Sequence, residues 1–158
     1  MQDFTNGANI KDKTTWIYAR PDLAFKPEDF NQGHGTCMLS KVTGDQYGVS
    51  KNVSPVVVKV PSIFEGGNGG QDWVDGVRKS YEDFKARLDT PPRLDPKVGA
   101  IISLSFQIPP TRLDPPAVDY FRTILRSLVS EGVLPITGSG NQANMVNVSP
   151  TLCRIDVD

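Results

Sequence analysis

Three short apolar runs, separated by two amphipathic segments, constrain most strongly what this chain can fold into. The runs are residues 55–60, 98–106 and 133–137, and they are rich in valine and isoleucine. Their nearly continuous apolar character is typical of strands that are covered on both faces, as in a parallel sheet. We therefore expect three parallel strands in the interior of the fold.

Two helices are predicted between these strands. In the first, apolar residues recur every three or four positions over residues 73–88, and Asp72 is the predicted N-cap. The second is predicted to begin at Asp114 and Pro115 and to stop at Gly132, since these residue types are typical of helix starts and helix ends. Both segments have the length and the apolar stripe of helices that pack on a sheet.

The order of the elements predicts the fold class. A third, shorter helix is expected near His34, so that helices and strands alternate along the chain. This alternation predicts an α/β fold, with a parallel sheet flanked by helices and right-handed crossovers. The connections at residues 63–70 and 89–97 are rich in glycine and proline and are predicted to be surface loops. A chain of 158 residues is expected to form one domain.

The charge balance argues against two classes of partner. Seventeen basic and 18 acidic residues give a formal net charge of −1, which predicts no basic surface for nucleic acid or for an anionic membrane. No apolar run approaches the length of a membrane span, and residues 1–4 do not open a signal peptide. We expect neither a nucleic-acid nor a membrane partner.

His34 is the only histidine of the sequence and is flanked by Gly33 and Gly35. Most single histidines are surface or packing residues. Two neighbouring glycines permit close backbone approach and leave the imidazole accessible at a junction between a loop and a helix. A histidine in that place can act as a general base near neutral pH. Cys37, one turn further along, is predicted to be a packing residue.

The segment around His34 resembles the histidine motif of the subtilisin-like serine peptidases, and further segments match the same family in the same order. The segments that carry the resemblance are residues 33–36 (Gly-His-Gly-Thr), 47–51 (Tyr-Gly-Val-Ser-Lys), 56–60, 67–70 (Gly-Asn-Gly-Gly), 72–77, 101–105 and 138–141 (Gly-Ser-Gly-Asn). A single four-residue match carries little weight, whereas several in register along nearly the whole chain are specific. The resemblance implies a part of the three-layer subtilisin-like fold and a peptide or protein substrate.

The resemblance also implies roles for particular residues. His34 would be the base of the catalytic triad, and Asn141 would donate its side-chain amide to the oxyanion. An extended peptide would add along one strand end, and glycine-rich segments would line the peptide cleft. The residues implied in substrate binding are Gly67, Gly69, Gly70, Ser103, Leu104, Ser105, Gly138, Ser139 and Gly140.

Two parts of the family pattern are missing from this sequence. No Gly-Thr-Ser motif follows Asn141, and Ser149 precedes a proline, which does not fit the nucleophile. The aspartate motif of the family, which follows an apolar strand, is not found. Asp3 matches better the acidic residue that the family carries several positions after its catalytic aspartate. Residues 1–158 are therefore expected to be the central part of a peptidase domain. Without nucleophile and triad acid, this chain alone is expected not to hydrolyse peptides.

Two other functions fit parts of the sequence. Residues 138–143 match a Gly-x-Gly-x-x-Ala dinucleotide fingerprint, although the residues that follow have no helical stripe. A non-catalytic domain that binds peptides is the second alternative. We expect no cofactor and no metal, because the acidic residues Asp22, Glu28, Asp29 and Asp45 do not have a recognisable calcium-ligand spacing. The family is commonly extracellular, but the sequence itself leaves the location open.

Overall fold

The computed structural model describes residues 14–25, 33–50, 53–61, 70–89, 99–106 and 113–138. The chain divides into a first unit, Met1–Glu65, and a second unit, Gly66–Asp158, and each is described by itself. In chain order the elements are β1 (Thr15–Tyr18), a 3-10 helix (Pro21–Phe25), α1 (His34–Thr43), β2 (Val56–Lys59), α2 (Gly70–Asp89), β3 (Ala100–Leu104), α3 (Pro115–Ser130) and β4 (Val133–Thr137). The fold class is α/β with parallel strand pairs, as the alternation of elements predicts.

In the first unit, β1 pairs in parallel with β2. Thr15 lies opposite Val56, and Tyr18 lies opposite Lys59. Two further backbone hydrogen bonds extend the pair, from Thr15 N to the Pro55 carbonyl at 3.0 Å and from Ala19 N to the Lys59 carbonyl at 2.9 Å. Strand β2 was predicted from the sequence and β1 was not, although residues 15–18 (Thr-Trp-Ile-Tyr) are all residues that favour strands.

Helix α1 is followed by a turn that folds back onto its last residues. Gly48 N donates to the Gly44 carbonyl at 2.9 Å, and Val49 N donates to the Lys41 carbonyl at 3.1 Å. A Cβ atom at Gly48 would lie 2.4 Å from Gly44 N and 2.5 Å from the Gly44 carbonyl oxygen. Glycine is therefore required at position 48 by close backbone approach, and the carbonyl groups at the end of α1 are satisfied by the turn.

In the second unit, β3 and β4 form a parallel pair. The register runs from Ala100 opposite Val133 to Leu104 opposite Thr137. Helix α3 connects the two strands, as a parallel connection requires. Its ends agree with the prediction: the Asp114 carboxylate accepts a hydrogen bond from Ala117 N at 2.9 Å, and Gly132 adopts a left-handed φ of 84° just after the helix.

The prediction that Asp72 is the N-cap of α2 is wrong. The helix begins two residues earlier, at Gly70, and Asp72 is a buried residue of its first turn. A carboxylate in the first turn is favoured by the helix dipole, so the sequence signal marked the region of the helix start and not the capping position. The apolar stripe of α2 is confirmed, since Val77 belongs to the core and Tyr81 packs against it.

The core of the second unit lies on one face of the β3–β4 pair. Helices α2 and α3 pack there, and α3 supplies half of the buried residues. The cluster comprises Val74, Val77, Leu104, Phe121, Ile124, Leu125, Leu128 and Val133. Ala100 and Ile102 face the same side as Leu104, because side chains alternate along a strand.

The opposite face of this strand pair is apolar and exposed. Ile101, Leu134 and Ile136 are 65%, 57% and 48% exposed. The prediction that the strands are covered on both faces is therefore wrong for the described part of the second unit, where both packing helices lie on the same side. A run of apolar residues indicates that a strand is suited to burial, but it does not supply the element that covers it.

A polar contact joins helix α2 to the end of α3. Glu131 Oε1 accepts hydrogen bonds from the Tyr81 hydroxyl at 3.0 Å and from Lys85 Nζ at 3.1 Å. The hydrogen bond and the negative charge of Glu131 raise the pKa of Lys85 above its ordinary value. The hydrogen bond from Tyr81 spans 50 positions of sequence and so links two helices that are distant along the chain.

Replacing Gly48 by alanine is expected to destabilise the chain by about 1–3 kcal/mol, because the new methyl group overlaps the backbone at Gly44. Urea unfolding of Gly48→Ala and of the parent chain measures the difference. Gly99→Ala is the matched control, since no atom lies within 4 Å of a Cβ at Gly99. Equal stability of the two variants would contradict the close approach.

Two adjacent residues of α3 test the assignment of the core. Phe121 is 2% exposed and its neighbour Tyr120 is 44% exposed. Phe121→Ala is expected to cost about 3–5 kcal/mol of unfolding free energy. Tyr120→Ala is expected to change it by no more than about 0.5 kcal/mol. Thermal unfolding followed by circular dichroism measures both, and a larger loss for Tyr120→Ala would mean that the helix faces the other way.

The contact of Lys85 with Glu131 predicts a pH-dependent stability. Because the folded-state pKa of Lys85 is raised, its contribution is complete below the ordinary lysine pKa of 10.5 and is lost as the pH rises through the raised value. Lys85→Met is expected to lower stability at pH 7, and the difference from the parent chain should shrink in the alkaline range.

A double-mutant cycle with Lys85→Met and Glu131→Gln, measured by urea unfolding at pH 7, isolates the coupling between the two side chains. Zero coupling would show that the ion pair contributes nothing measurable. Tyr81→Phe tests the second hydrogen bond to the same carboxylate oxygen independently.

Candidate functional site

His34 is the first residue of helix α1, as predicted, and its side chain is exposed. Gly33 precedes it with a left-handed φ of 79°, a conformation that favours glycine. The Gly33 carbonyl accepts a hydrogen bond from Cys37 N at 2.8 Å and so closes the first turn of the helix. The backbone thus turns sharply immediately before the histidine and presents the imidazole to solvent.

The residues next to His34 differ in part from the sequence prediction. A Cβ at Gly35 would meet no atom within 4 Å, so no close backbone approach explains this glycine in the described part of the chain. Cys37 is exposed, and the prediction that it is a packing residue is wrong. One turn of helix separates His34 from Cys37, whereas the packing side of α1 includes the buried Thr43.

The carboxyl end of the β3–β4 pair brings together two segments that were predicted to bind substrate. The register places Leu104, the last residue of β3, opposite Thr137, the last residue of β4. Ser105 and Gly138 follow directly, at the same edge of the pair. Ligands of α/β proteins commonly bind at the carboxyl ends of parallel strands, so this edge is the candidate site of the second unit.

The three residues at the end of β3 differ in what they can offer to a ligand. Leu104 is 4% exposed and its side chain belongs to the core, so only its backbone is available for contact. Ser103 is exposed, and its hydroxyl lies 3.4 Å from the hydroxyl of the half-buried Ser105. The strand end therefore combines a side chain anchored in the core with polar groups on the open side.

Gly138 leaves open space at this edge. It is exposed, and a Cβ built there would meet no atom within 4 Å. Gly70, in contrast, is not a loop residue as predicted, because it begins helix α2 and is buried. The predicted site residues Gly67, Gly69, Ser139, Gly140 and Asn141 lie outside the described residues.

An aromatic contact lies beside the same strand end and was not predicted. The rings of Trp73 and Phe106 meet edge to face, with 4.8 Å between their centroids and an interplanar angle of 64°. Phe106 comes two residues after β3 and is half-buried against the core. In the sequence, Phe106 is the last residue of the predicted strand 98–106, whereas the strand in the structure ends at Leu104.

Acidic side chains do not gather into a metal site in the described part of the chain. Within these residues, no group of three or more histidine, cysteine, aspartate or glutamate side chains is placed to hold a metal ion. Asp22 instead forms a two-pronged contact with the Arg20 guanidinium, at 3.0 and 3.1 Å. Among the same residues, no helix is both long enough and apolar enough to cross a lipid bilayer.

Comparison with known proteins gives no match for this chain among protein-family models, curated proteins or solved structures.

Proposed function

We propose that this chain is the central part of a subtilisin-like serine peptidase domain, and that its parallel strands and helices are part of the three-layer subtilisin-like fold. The observation that carries the proposal is the register of β3 with β4, because it brings the ends of two motif segments, residues 103–105 and residue 138, to one carboxyl edge. The resemblance assigns both segments to the binding of substrate. The two segments are more than 30 residues apart in sequence and meet at one edge through the strand register. Peptide binding at this edge is the test of the role that the resemblance assigns to them.

His34 is the proposed catalytic base. The imidazole is exposed on the first residue of a helix, directly after the left-handed turn at Gly33, and is therefore accessible to a substrate. In a complete peptidase domain of this family, it would accept the proton of the serine hydroxyl and return it to the leaving amine. Asn141 would donate an amide hydrogen bond to the oxyanion, a contribution that is typically about 10²–10³ in turnover.

The end of β3 is the proposed binding edge for an extended peptide. A peptide that adds to a strand end is held by main-chain hydrogen bonds, and pockets for alternate side chains provide the selectivity. The space around Gly138 suits one such pocket, since it leaves room for a substrate side chain. Peptide binding depends on these backbone and pocket features and not on the serine and aspartate motifs that this sequence lacks.

A non-catalytic peptide-binding domain is the second candidate function. The same strand edge supports it, because the addition of a peptide to a strand end needs no catalytic residue. The two candidates agree on where a peptide binds and differ on whether His34 contributes chemistry. Experiments on binding and on the histidine therefore test different parts of the proposal.

Gly138→Leu is expected to weaken the binding of an extended peptide by about tenfold or more, because the leucine side chain occupies the proposed pocket. Fluorescence anisotropy with a library of labelled, unstructured peptides measures the affinity for the parent chain and the variant. Gly99→Leu is the matched control. Gly99 is equally open but lies at the opposite, amino end of β3, where no effect on binding is expected.

Equal weakening by both leucine substitutions, in variants shown by circular dichroism to be folded, would contradict a site at the carboxyl edge. The absence of saturable binding to the parent chain would contradict both candidate functions. If Gly138→Leu kept the affinity of the parent chain, the proposed side-chain pocket at Gly138 would be contradicted, whereas peptide binding along the end of β3 would not.

The single histidine provides a direct readout of the proposed active site. Its imidazole carbon-bound protons give one assignable set of NMR signals, since the sequence contains no other histidine. Addition of a binding peptide is expected to shift these signals, and Gly138→Leu is expected to abolish the shift. His34→Ala is expected to leave peptide affinity within about twofold, because the base acts on the reaction and not on substrate binding.

A fluorophosphonate probe for active-site serines completes the test. The chain alone is expected to remain unlabelled and to release no product from fluorogenic peptides. Labelling would mean that a serine of this sequence is activated by a route that the family pattern does not provide. Peptide binding without any change in the His34 signals would contradict the peptidase assignment and favour the non-catalytic binding domain.

A further inference from the structure

We draw no further inference here: the strongest candidate, the exposed apolar face of the β3–β4 pair formed by Ile101, Leu134 and Ile136, carries nothing because the described part of the chain does not show what covers it.

Discussion

The parallel pairing of β3 with β4 is the interaction on which the second unit depends. Its register sets which residues face the helices, and Leu104 and Val133 enter the core only because the two strands are aligned as they are. A shift of β4 by one residue along β3 would turn Val133 to the opposite face and expose it, while Leu104 would stay in place. The same alignment determines which residues leave the strand ends together, so packing and the candidate site have one common cause.

In the first unit, the residue proposed as the catalytic base is the first residue of the short helix α1. Helix α1 is short, and hydrogen bonds of the backbone fix both of its ends. The turn at residues 44–50 closes the carboxyl end, and Gly33 sets the amino end. Short helices are marginal by themselves, so these end contacts are a substantial part of what stabilises this one. The backbone position of the proposed base is therefore set by main-chain geometry at both ends of α1.

Local sequence rules predicted those elements whose causes are themselves local. Asp114, Pro115 and Gly132 gave the ends of α3, because capping depends on residues within one turn of the helix end. Strand β1 was missed, since four residues carry too short a pattern to stand out. The start of α2 was misplaced because Asp72 suits both a cap and a first turn. The exposure of Ile101 and Leu134 was not predictable, since coverage of a strand depends on elements that are distant in sequence.

In the candidate site, too, the features set by neighbouring residues were predictable from the sequence, and those set by strand register were not. The position of His34 at the start of a helix followed from its neighbours in sequence, and the structure agrees. The meeting of Ser105 with Gly138 at one edge required the strand register, which single-sequence patterns do not specify for parallel pairs. The contact of Phe106 with Trp73 was not predicted for a related reason, since it joins a strand end to a helix residue about 30 positions earlier.

The left-handed backbone at Gly33 disfavours substitution of this glycine by other residues. Any residue with a Cβ atom pays a steric penalty of about 1–2 kcal/mol in that conformation. Relief of the penalty would require the chain to enter the helix by another path, and the histidine would then no longer be its first residue. A lineage that keeps the imidazole in use is thus expected to keep glycine before it, whereas one that abandons the imidazole is free to replace both.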